Sequence, residues 1–243
     1  MFKKNKKIIF QEGNDAAKFI LDIPKPSTNN VPTWYRNQKL FSNNQNNMVK
    51  AFKSGNKDIG TFKLCVPLVD SVTSGYQLVT PCDILVTNSA KEGYSPYMEW
   101  GIKWDPVDIQ DDRKLGNFPI PVGHNSTSFR WSADWIIKTP YGYSTWITHP
   151  AQRYDLPFTT LTAFVDTDKH PNKLFLPFFI KDNFVGIIPE GTPIAQLIPV
   201  KRESWISEKK DRNVSTDFIL DNIVKTNFIR TYKNKFWTRK EYK

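Results

Sequence analysis

The sequence predicts a mainly β protein in which a single β-barrel lies between an irregular N-terminal arm and a long C-terminal α-helix. From residue 62 to about residue 200, apolar side chains recur at every second position, which is the period of a strand with one buried face. Proline or glycine separates most of these runs, as hairpin turns require. Near residue 216 the apolar spacing changes to the helical period. We therefore expect an arm over 1–60, a barrel over 61–206 and a basic helix within 207–243.

The N-terminal arm is predicted from its turn-forming and low-complexity segments. Residues 24–35 read PKPSTNNVPTWY, and residues 42–48 read SNNQNNM. Such segments have the spacing of neither a helix nor a strand. Trp34 and Tyr35 are expected to fix the arm to the body of the protein, because aromatic rings favour a surface that they can cover.

The barrel strands are predicted from runs in which apolar and polar residues alternate. Phe129, Trp131, Ala133, Trp135 and Ile137, for example, alternate with polar residues. Many short strands with hairpin-length spacers and no intervening helices favour an antiparallel barrel or sandwich over a parallel sheet. The predicted strands cover residues 62–68, 77–80, 82–86, 98–104, 129–137, 143–148, 160–166, 174–180 and 194–200.

The C-terminal helix is predicted over residues 216–238. Ser215 or Thr216 can cap its first turn, where Asp217 is also favourable. An amphipathic stripe of this kind either packs across the barrel or reaches a neighbouring subunit. Its apolar members recur close to helical spacing and are Phe218, Ile219, Ile223, Phe228, Tyr232 and Phe236.

Composition and charge narrow the functional classes. The chain has 243 residues, 14% of them aromatic, and a formal net charge of +10, so it has material for a core and attracts polyanions. Basic residues crowd both ends, which suits contact with nucleic acid or virion proteins, although two solvated tails explain the same pattern. No apolar run reaches the length of a membrane span or of a secretory signal, so we expect no membrane partner.

Histidine provides one candidate for metal chemistry. The sequence contains no glycine-rich phosphate loop, no HExxH motif and no CxxC pair. His124 and His149, together with Asp155 or Asp166, are of the right types for an iron site with two histidines and one carboxylate. The alternative is that these histidines lie in turns beside proline, and we assign no metal ligand.

Four short segments of the chain occur in a characteristic order. They are SVTSGYQL at 71–78, Pro140 with Gly142 and Tyr143, Val165 with Asp166 and Asp168, and Gly191 followed by Ile194, Ala195, Gln196 and Leu197. In these segments the chain over 71–200 resembles the dUTPase and dCTP deaminase superfamily, whose members have β-clip barrels. The resemblance implies a dUTPase-like barrel, a homo-oligomer with a trimer favoured, and a nucleotide site between subunits.

The resemblance also implies roles for individual residues. Asp166, with Asp168 beside it, matches the carboxylate that activates the attacking water, so any enzyme activity would be nucleotide phosphohydrolase-like. Tyr143 lies in the turn that leads into the nucleotide-binding strand, and Tyr76 lies in the opening segment. Gln196 matches a residue that faces the phosphates. The sequence assigns no cofactor, and Mg²⁺ is the candidate only if a nucleotide is bound.

Three departures from the superfamily pattern favour ligand binding without hydrolysis. HPAQRYD at 149–155 stands where the superfamily has an Arg-Ser-Ser phosphate loop, Gln77 stands in place of an aspartate, and a basic segment replaces the glycine-rich arm. Phosphoryl transfer depends on the positioning and charge neutralisation that those parts provide. His149 and Arg153 are the ligand-binding candidates in the substituted loop. Asp166 and Asp168 have an alternative interpretation as residues of a hairpin turn.

A second similarity is carried by the segments 23–38, 65–86, 139–150 and 164–205. In these segments the chain resembles a family of proteins from tailed phages of marine bacteria, with bacterial members, to which no activity is assigned. It implies a phage protein located in the host cytoplasm or in the virion. We predict an accessory protein that binds a small anionic ligand, with a nucleotide as the first candidate. A non-catalytic virion or assembly component is the alternative, and a non-haem iron enzyme is the third hypothesis.

Overall fold

The computed structural model describes residues 6–15, 22–42, 60–89, 93–211, 218 and 232–243. Within these ranges the protein is mainly β, with fourteen strands in four sheets and few, short helices. The contacts divide the chain into two units. The first comprises Met1–Asn30 and Gly75–Arg202, and the second comprises Val31–Ser74 and Glu203–Lys243. The sequence-based boundaries at residues 60 and 206 stay predictions.

All fourteen strands belong to the first unit, and every pairing between them is antiparallel. In chain order they are β1 (Ile9–Glu12), β2 (Lys25–Pro26), β3 (Tyr76–Val79), β4 (Ile84–Thr87), β5 (Tyr97–Trp100), β6 (Val107–Ile109), β7 (His124–Ser132), β8 (Trp135–Lys138), β9 (Tyr143–Thr148), β10 (Phe158–Thr160), β11 (Ala163–Val165), β12 (Phe175–Lys181), β13 (Gly186–Ile188) and β14 (Pro193–Lys201).

The strands form separate sheets, and in the described ranges they do not close into the predicted barrel. The largest sheet has the order β11-β9-β14-β3-β2, and a second has the order β10-β12-β7-β6. β13-β4-β5 and β1-β8 form the two smaller sheets. The chain changes sheets between β10 and β11, and the end strands β11 and β2 of the largest sheet do not pair with each other. The prediction of a mainly β fold is confirmed, whereas closure of a barrel is not found.

Aromatic rings from neighbouring strands of the β10-β12-β7-β6 sheet pack together in the core of the first unit. Trp131 of β7 stacks on Phe178 of β12 with ring centroids 3.8 Å apart, and Phe158 of β10 meets the Trp131 ring edge-on at 5.0 Å. The three side chains are buried, and for Trp131 this agrees with the alternation of apolar residues over 129–137. Burial of each such side chain contributes about 1.5–3 kcal/mol. This packing fixes β10, which supports the loop described below.

The second unit has only short helices in its described residues. They are α1 (Thr33–Asn37), α2 (Val66–Thr73) and one π-helical turn at Tyr232–Phe236. The prediction of a strand over 62–68 is wrong, because a 3-10 turn at Phe62–Leu64 leads into α2, whose first turn contains Pro67. No helix in the described ranges is both long enough and apolar enough to cross a membrane.

The predicted C-terminal helix over 216–238 is not shown. Residues 212–217 and 219–231 lie outside the described residues. Near the end of the predicted range, Tyr232–Phe236 form a single π-helical turn. All five of these residues are exposed.

Candidate functional site

The predicted site residues lie at the two ends of β9. Tyr143 begins this strand, and Asp166 and Asp168 follow β11, which pairs with that end. His149 directly follows the other end, where Gln196 of β14 pairs with Thr148. A six-residue strand is roughly 17 Å long, so the residues form two separate groups and not one pocket.

The first group begins at a turn between β8 and β9. The backbone N–H of Tyr143 donates to the carbonyl of Pro140 at 3.2 Å, and Gly142 has a φ of 83°. A positive φ at the third position of a turn favours glycine, which explains the PYGY sequence. The turn leaves the Gly142 N–H pointing at the Asp168 carboxylate, 2.9 Å away.

Arg202, which follows β14, holds the Asp168 carboxylate with both ends of its guanidinium. Its Nη1 donates to Asp168 Oδ1 at 2.9 Å, and its Nη2 donates to Asp168 Oδ2. The Asp168 side chain is only 1% exposed. Hydrogen bonds from Arg202 lower the pKa of Asp168 to about 2, with a further contribution from the Gly142 N–H. Asp168 is therefore an anchor for Arg202 that stays ionised well below the ordinary carboxyl pKa.

Asp166 is more exposed than Asp168, but its carboxylate is also engaged. Ser144 Oγ donates to Asp166 Oδ1 at 2.6 Å, and Arg202 Nη1 lies 3.2 Å from the same oxygen. Both carboxylates thus accept from protein donors, and the guanidinium lies between them. Such an arrangement does not suit a Mg²⁺ site at these two aspartates, because a cation already occupies the space between their oxygens.

Tyr143 faces a different cation. Lys6 Nζ donates to the Tyr143 hydroxyl and lies 4.2 Å from the centre of its ring. A cation over an aromatic face is attracted by the negative charge of the π system. Tyr143 therefore packs against the N-terminal segment of the first unit, next to the carboxylate group.

The second group is built on the 149–157 loop, which connects β9 to β10. The backbone N–H of Thr160 donates to His149 Nδ1 at 3.3 Å, so the ring proton is on Nε2, which donates to the Arg153 carbonyl at 3.1 Å. The ring also meets Phe158 edge-on at 5.9 Å. These contacts make His149 the internal support of the loop.

Arg153 is fixed at the tip of the loop by Asp155. Arg153 Nε lies 2.9 and 3.1 Å from the two Asp155 oxygens, and Nη2 lies 3.0 Å from Oδ2. The Arg153 side chain is 15% exposed, whereas that of Asp155 is 47% exposed. In the described residues, Arg153 Nη1 has no hydrogen-bond partner, so one edge of the guanidinium remains able to donate.

Gln196 supports the loop from beneath. It is fully buried, and its Oε1 accepts from the backbone N–H of Ala151 at 3.0 Å. Tyr76 pairs with Leu197 across β3 and β14 and meets the Phe10 ring edge-on at 5.5 Å. The side chains of Gln196 and Tyr76, which the sequence analysis gave as ligand-binding candidates, therefore make contacts within the protein.

The electrostatic environment of the loop is positive. Burial lowers the pKa of His149, and the charges of Arg153 and Lys181 act in the same direction. Lys181 Nζ donates to the Tyr154 carbonyl at 2.5 Å, which brings a second cation to the loop. Two cations and the single carboxylate of Asp155 leave an excess of positive charge beside a neutral imidazole.

Sequence reasoning missed Arg202, Ser144 and Lys181. Arg202 lies 34 residues from Asp168 along the chain, and Lys181 lies 27 residues from Tyr154. Sequence spacing does not predict contacts between residues so far apart. Arg202 and Lys181 do come just after the predicted strands 194–200 and 174–180. Only the strand pairing brings them to the loop and the turn.

The two histidines proposed for iron do not form a metal site in the described part of the chain. His124 Nε2 lies 2.9 Å from Thr159 Oγ1, whereas His149 accepts from the backbone of Thr160. Within the described ranges, no three side chains of histidine, cysteine, aspartate or glutamate are close enough to hold a metal ion.

A cavity of about 790 Å³ lies elsewhere in the first unit and contains none of the predicted site residues. Its lining combines aromatic rings, among them Tyr97 and Trp100, with carboxylates, among them Asp105 and Asp112. Carboxylates repel phosphate groups, so this cavity is unsuited to the anionic ligand that the sequence predicts.

Comparison with known proteins finds similarity among solved structures alone. No family model matches the chain, and no curated protein matches it. One similar structure is a mutant dUTPase from phage phi11 of S. aureus, described as revealing the coordination of a structural Mg(II) ion. It is 10% identical, with a TM-score of 0.35, over 85% of this chain and 97% of that one.

Proposed function

We propose that this protein binds a small phosphate-bearing ligand, a nucleotide being the first candidate, at the 149–157 loop and does not hydrolyse it. The observation that carries the proposal is the guanidinium of Arg153, whose Nη1 has no hydrogen-bond partner in the described residues while Asp155 engages Nε and Nη2. Asp155 holds the guanidinium in one orientation, so little side-chain freedom is lost when a phosphate binds. A planar guanidinium matches two oxygens of a phosphate group.

Lys181 supplies the second cation for the ligand. Lys181 ends β12, and its ammonium group donates to the carbonyl of Tyr154, the residue that follows Arg153 in the loop. His149 remains neutral at physiological pH because its pKa is lowered, so it positions the loop and leaves the charge to the two cations. A dianionic phosphate would replace part of the interaction between Arg153 and the exposed carboxylate of Asp155.

The carboxylates argue against hydrolysis. A general base needs a pKa near the working pH and a free oxygen that can accept a proton. Asp168 has a pKa of about 2 and is shielded, and Asp166 already accepts from Ser144 and lies against Arg202. These residues also lie at the opposite end of β9 from Arg153.

Isothermal titration with inorganic phosphate, pyrophosphate and the deoxynucleoside triphosphates tests the proposal. We expect binding of at least one of them, and we expect Arg153→Gln to weaken it at least tenfold, about the value of one charged hydrogen bond. Arg113→Gln is the matched control, because Arg113 makes the same i,i+2 contact with Asp111 away from the loop. No heat at millimolar ligand, or equal losses in both variants, contradicts the binding site. Release of phosphate from a bound nucleotide contradicts the non-hydrolytic part.

A second candidate function is that of an assembly component made of several copies of this chain. It is favoured by an outward-facing pair of rings, Trp146 of β9 and Phe164 of β11, stacked at 5.9 Å with an interplanar angle of 5°. The Phe164 residue is 65% exposed. The molar mass of the protein in solution tests this candidate, and a monomer at all concentrations contradicts it.

A further inference from the structure

The C-terminal segment of the second unit presents aromatic rings and lysines together, and we propose that it binds single-stranded nucleic acid. The segment comprises residues 232–243 and is called the C-terminal platform below. It contains five lysine or arginine residues and one glutamate. The proposal is independent of the phosphate site at the 149–157 loop.

Asp70 of α2 anchors the C-terminal platform. Trp237 Nε1 donates to Asp70 Oδ2 at 2.8 Å, and Lys240 Nζ donates to the same oxygen at 2.5 Å. The Asp70 side chain is 18% exposed, so the anchor is partly shielded from water. Two donors on one carboxylate fix the segment on both sides of Thr238. The platform is thus held in a defined position within its unit.

The π-helical turn before the anchor displays rings and charges to solvent. Tyr232 is 47% exposed and Phe236 is 48% exposed. Lys233 and Lys235 lie between them and have neither an ion pair nor a hydrogen bond within the described ranges. Exposed rings spaced along a cationic segment are what single strands require, because bases stack on the rings and phosphates meet the cations.

A membrane surface and a nucleic-acid duplex also attract basic segments, but both fit the C-terminal platform less well than a single strand does. The helix described in residues 232–243 is a single turn, so the segment does not form the extended amphipathic helix that lies in a membrane surface. The described platform is one helical turn followed by irregular chain, which is too short to fill the major groove of a duplex. A single strand needs no groove and can follow the rings.

Fluorescence anisotropy with a labelled oligothymidylate of roughly 16 nucleotides tests the proposal on the full chain. We expect the double variant Tyr232→Ala/Phe236→Ala to weaken binding on the order of tenfold or more, because one stacked base is lost at each ring. We expect Lys233→Gln/Lys235→Gln to reduce the slope of log K against log salt by about 1.4, since each phosphate contact in a single strand contributes about 0.7.

Matched controls separate the platform from the general positive charge of the chain. Lys39→Gln/Lys103→Gln removes two exposed lysines elsewhere, and Tyr141→Ala removes a ring that is 88% exposed in the first unit. Both controls should bind the oligonucleotide as the parent does. Equal losses in controls and platform variants overturn the proposal, as does equal affinity for a duplex. Stronger binding to vesicles of anionic lipid than to the oligonucleotide also overturns it, and circular dichroism verifies that each variant is folded.

Discussion

Asp168 and Arg202 form an ion pair that joins the segment after β11 to the end of β14, and the Gly142 N–H connects the turn before β9 to the same carboxylate. Two guanidinium hydrogen bonds and the Gly142 N–H surround a carboxylate that is 1% exposed. Because these donors favour the ionised form, the pKa of Asp168 falls to about 2. A group with a lowered pKa in the folded protein stabilises it only while ionised.

The first residue-scale prediction concerns acid stability. The stabilisation from Asp168 is complete above pH 3.8 and is lost as the pH falls towards 2, because 3.8 is the ordinary carboxyl pKa and 2 is the approximate folded value. Asp168→Asn should lower the melting temperature at pH 7. Between pH 4 and pH 2, the melting temperature of the variant should fall less than that of the parent.

Thermal melts followed by circular dichroism measure this difference. Asp182→Asn is the control, because Asp182 is exposed and outside the Arg202 group. Its melting curve should follow that of the parent at every pH. Parallel losses in the parent and in Asp168→Asn below pH 4 would show that the ion pair does not set the acid limit.

The sequence predicts the positions of the candidate site residues better than it predicts the residues with which they form ion pairs. Asp166 and Asp168 fall at the end of a predicted strand, and His149 and Arg153 fall in the loop singled out as a phosphate-loop replacement. The ion pairs of Arg153 and Asp168 differ in the distance along the chain between their two members. The Arg153 contact with Asp155 is local, whereas Asp168 depends on Arg202, which only strand pairing brings near.

At the scale of elements, the approach of β3 to β14 depends on one glycine. Gly75 precedes β3 with a φ of 72°, and a Cβ atom built there would lie 2.0 Å from the carbonyl oxygen of Leu197 in β14. The positive φ disfavours any residue with a side chain, and the close approach of the Leu197 carbonyl leaves no space for a Cβ atom. The central pairing of the largest sheet therefore requires glycine at this position.

Gly75→Ala should destabilise the protein by about 3 kcal/mol or more, from the left-handed backbone and the displaced β14 strand together. Gly191→Ala is the matched control, because its φ is 76° and no atom lies within 4 Å of the added methyl group. It should cost only the backbone part, about 1–2 kcal/mol. Urea unfolding gives both values. Equal costs would mean that the close contact with Leu197 is relieved easily.

Alternation alone does not define a strand, because the alternating run over 129–137 is divided at Ala133 and Asp134 between β7 and β8, whereas two other predicted strands agree closely with the structure. The expected strand over 143–148 is β9 with the same bounds, and the strand expected over 194–200 is β14, one residue longer at each end. The segment over 62–68 misled the interpretation, because its apolar run also fits a helix that starts with proline at Pro67. Short apolar runs do not distinguish the two.

At the scale of the whole molecule, alternation shows which side chains share a face but not which strands pair. β1 pairs with β8, and β10 leaves the sheet of β9 to join β12. Core contacts also join strands that are far apart in the chain, such as Trp131 of β7 on Phe178 of β12. The predicted single barrel therefore becomes separate sheets in the described ranges, while the mainly β composition is retained.

One face of the largest sheet has an uncharged surface that could contact a second copy of the chain. β11 is at the end of its sheet, and a row of uncharged side chains, Phe164, Trp146 and Ile198, crosses the face beside it. A second copy offers the identical uncharged row, so the patch is self-complementary in a symmetric contact. Each copy has a net charge of +10, so electrostatic repulsion opposes this contact.

We predict that light scattering after size exclusion finds an oligomer whose fraction grows with salt, because counter-ions screen the repulsion between copies. Phe164→Glu should return the protein to the mass of one chain, since a charge buried between copies without a partner is costly. Val122→Glu adds the same charge at a fully exposed apolar residue outside the row and should associate as the parent does. A parent protein that stays monomeric at high salt, or a Phe164→Glu variant that still associates, rules out this face as the contact.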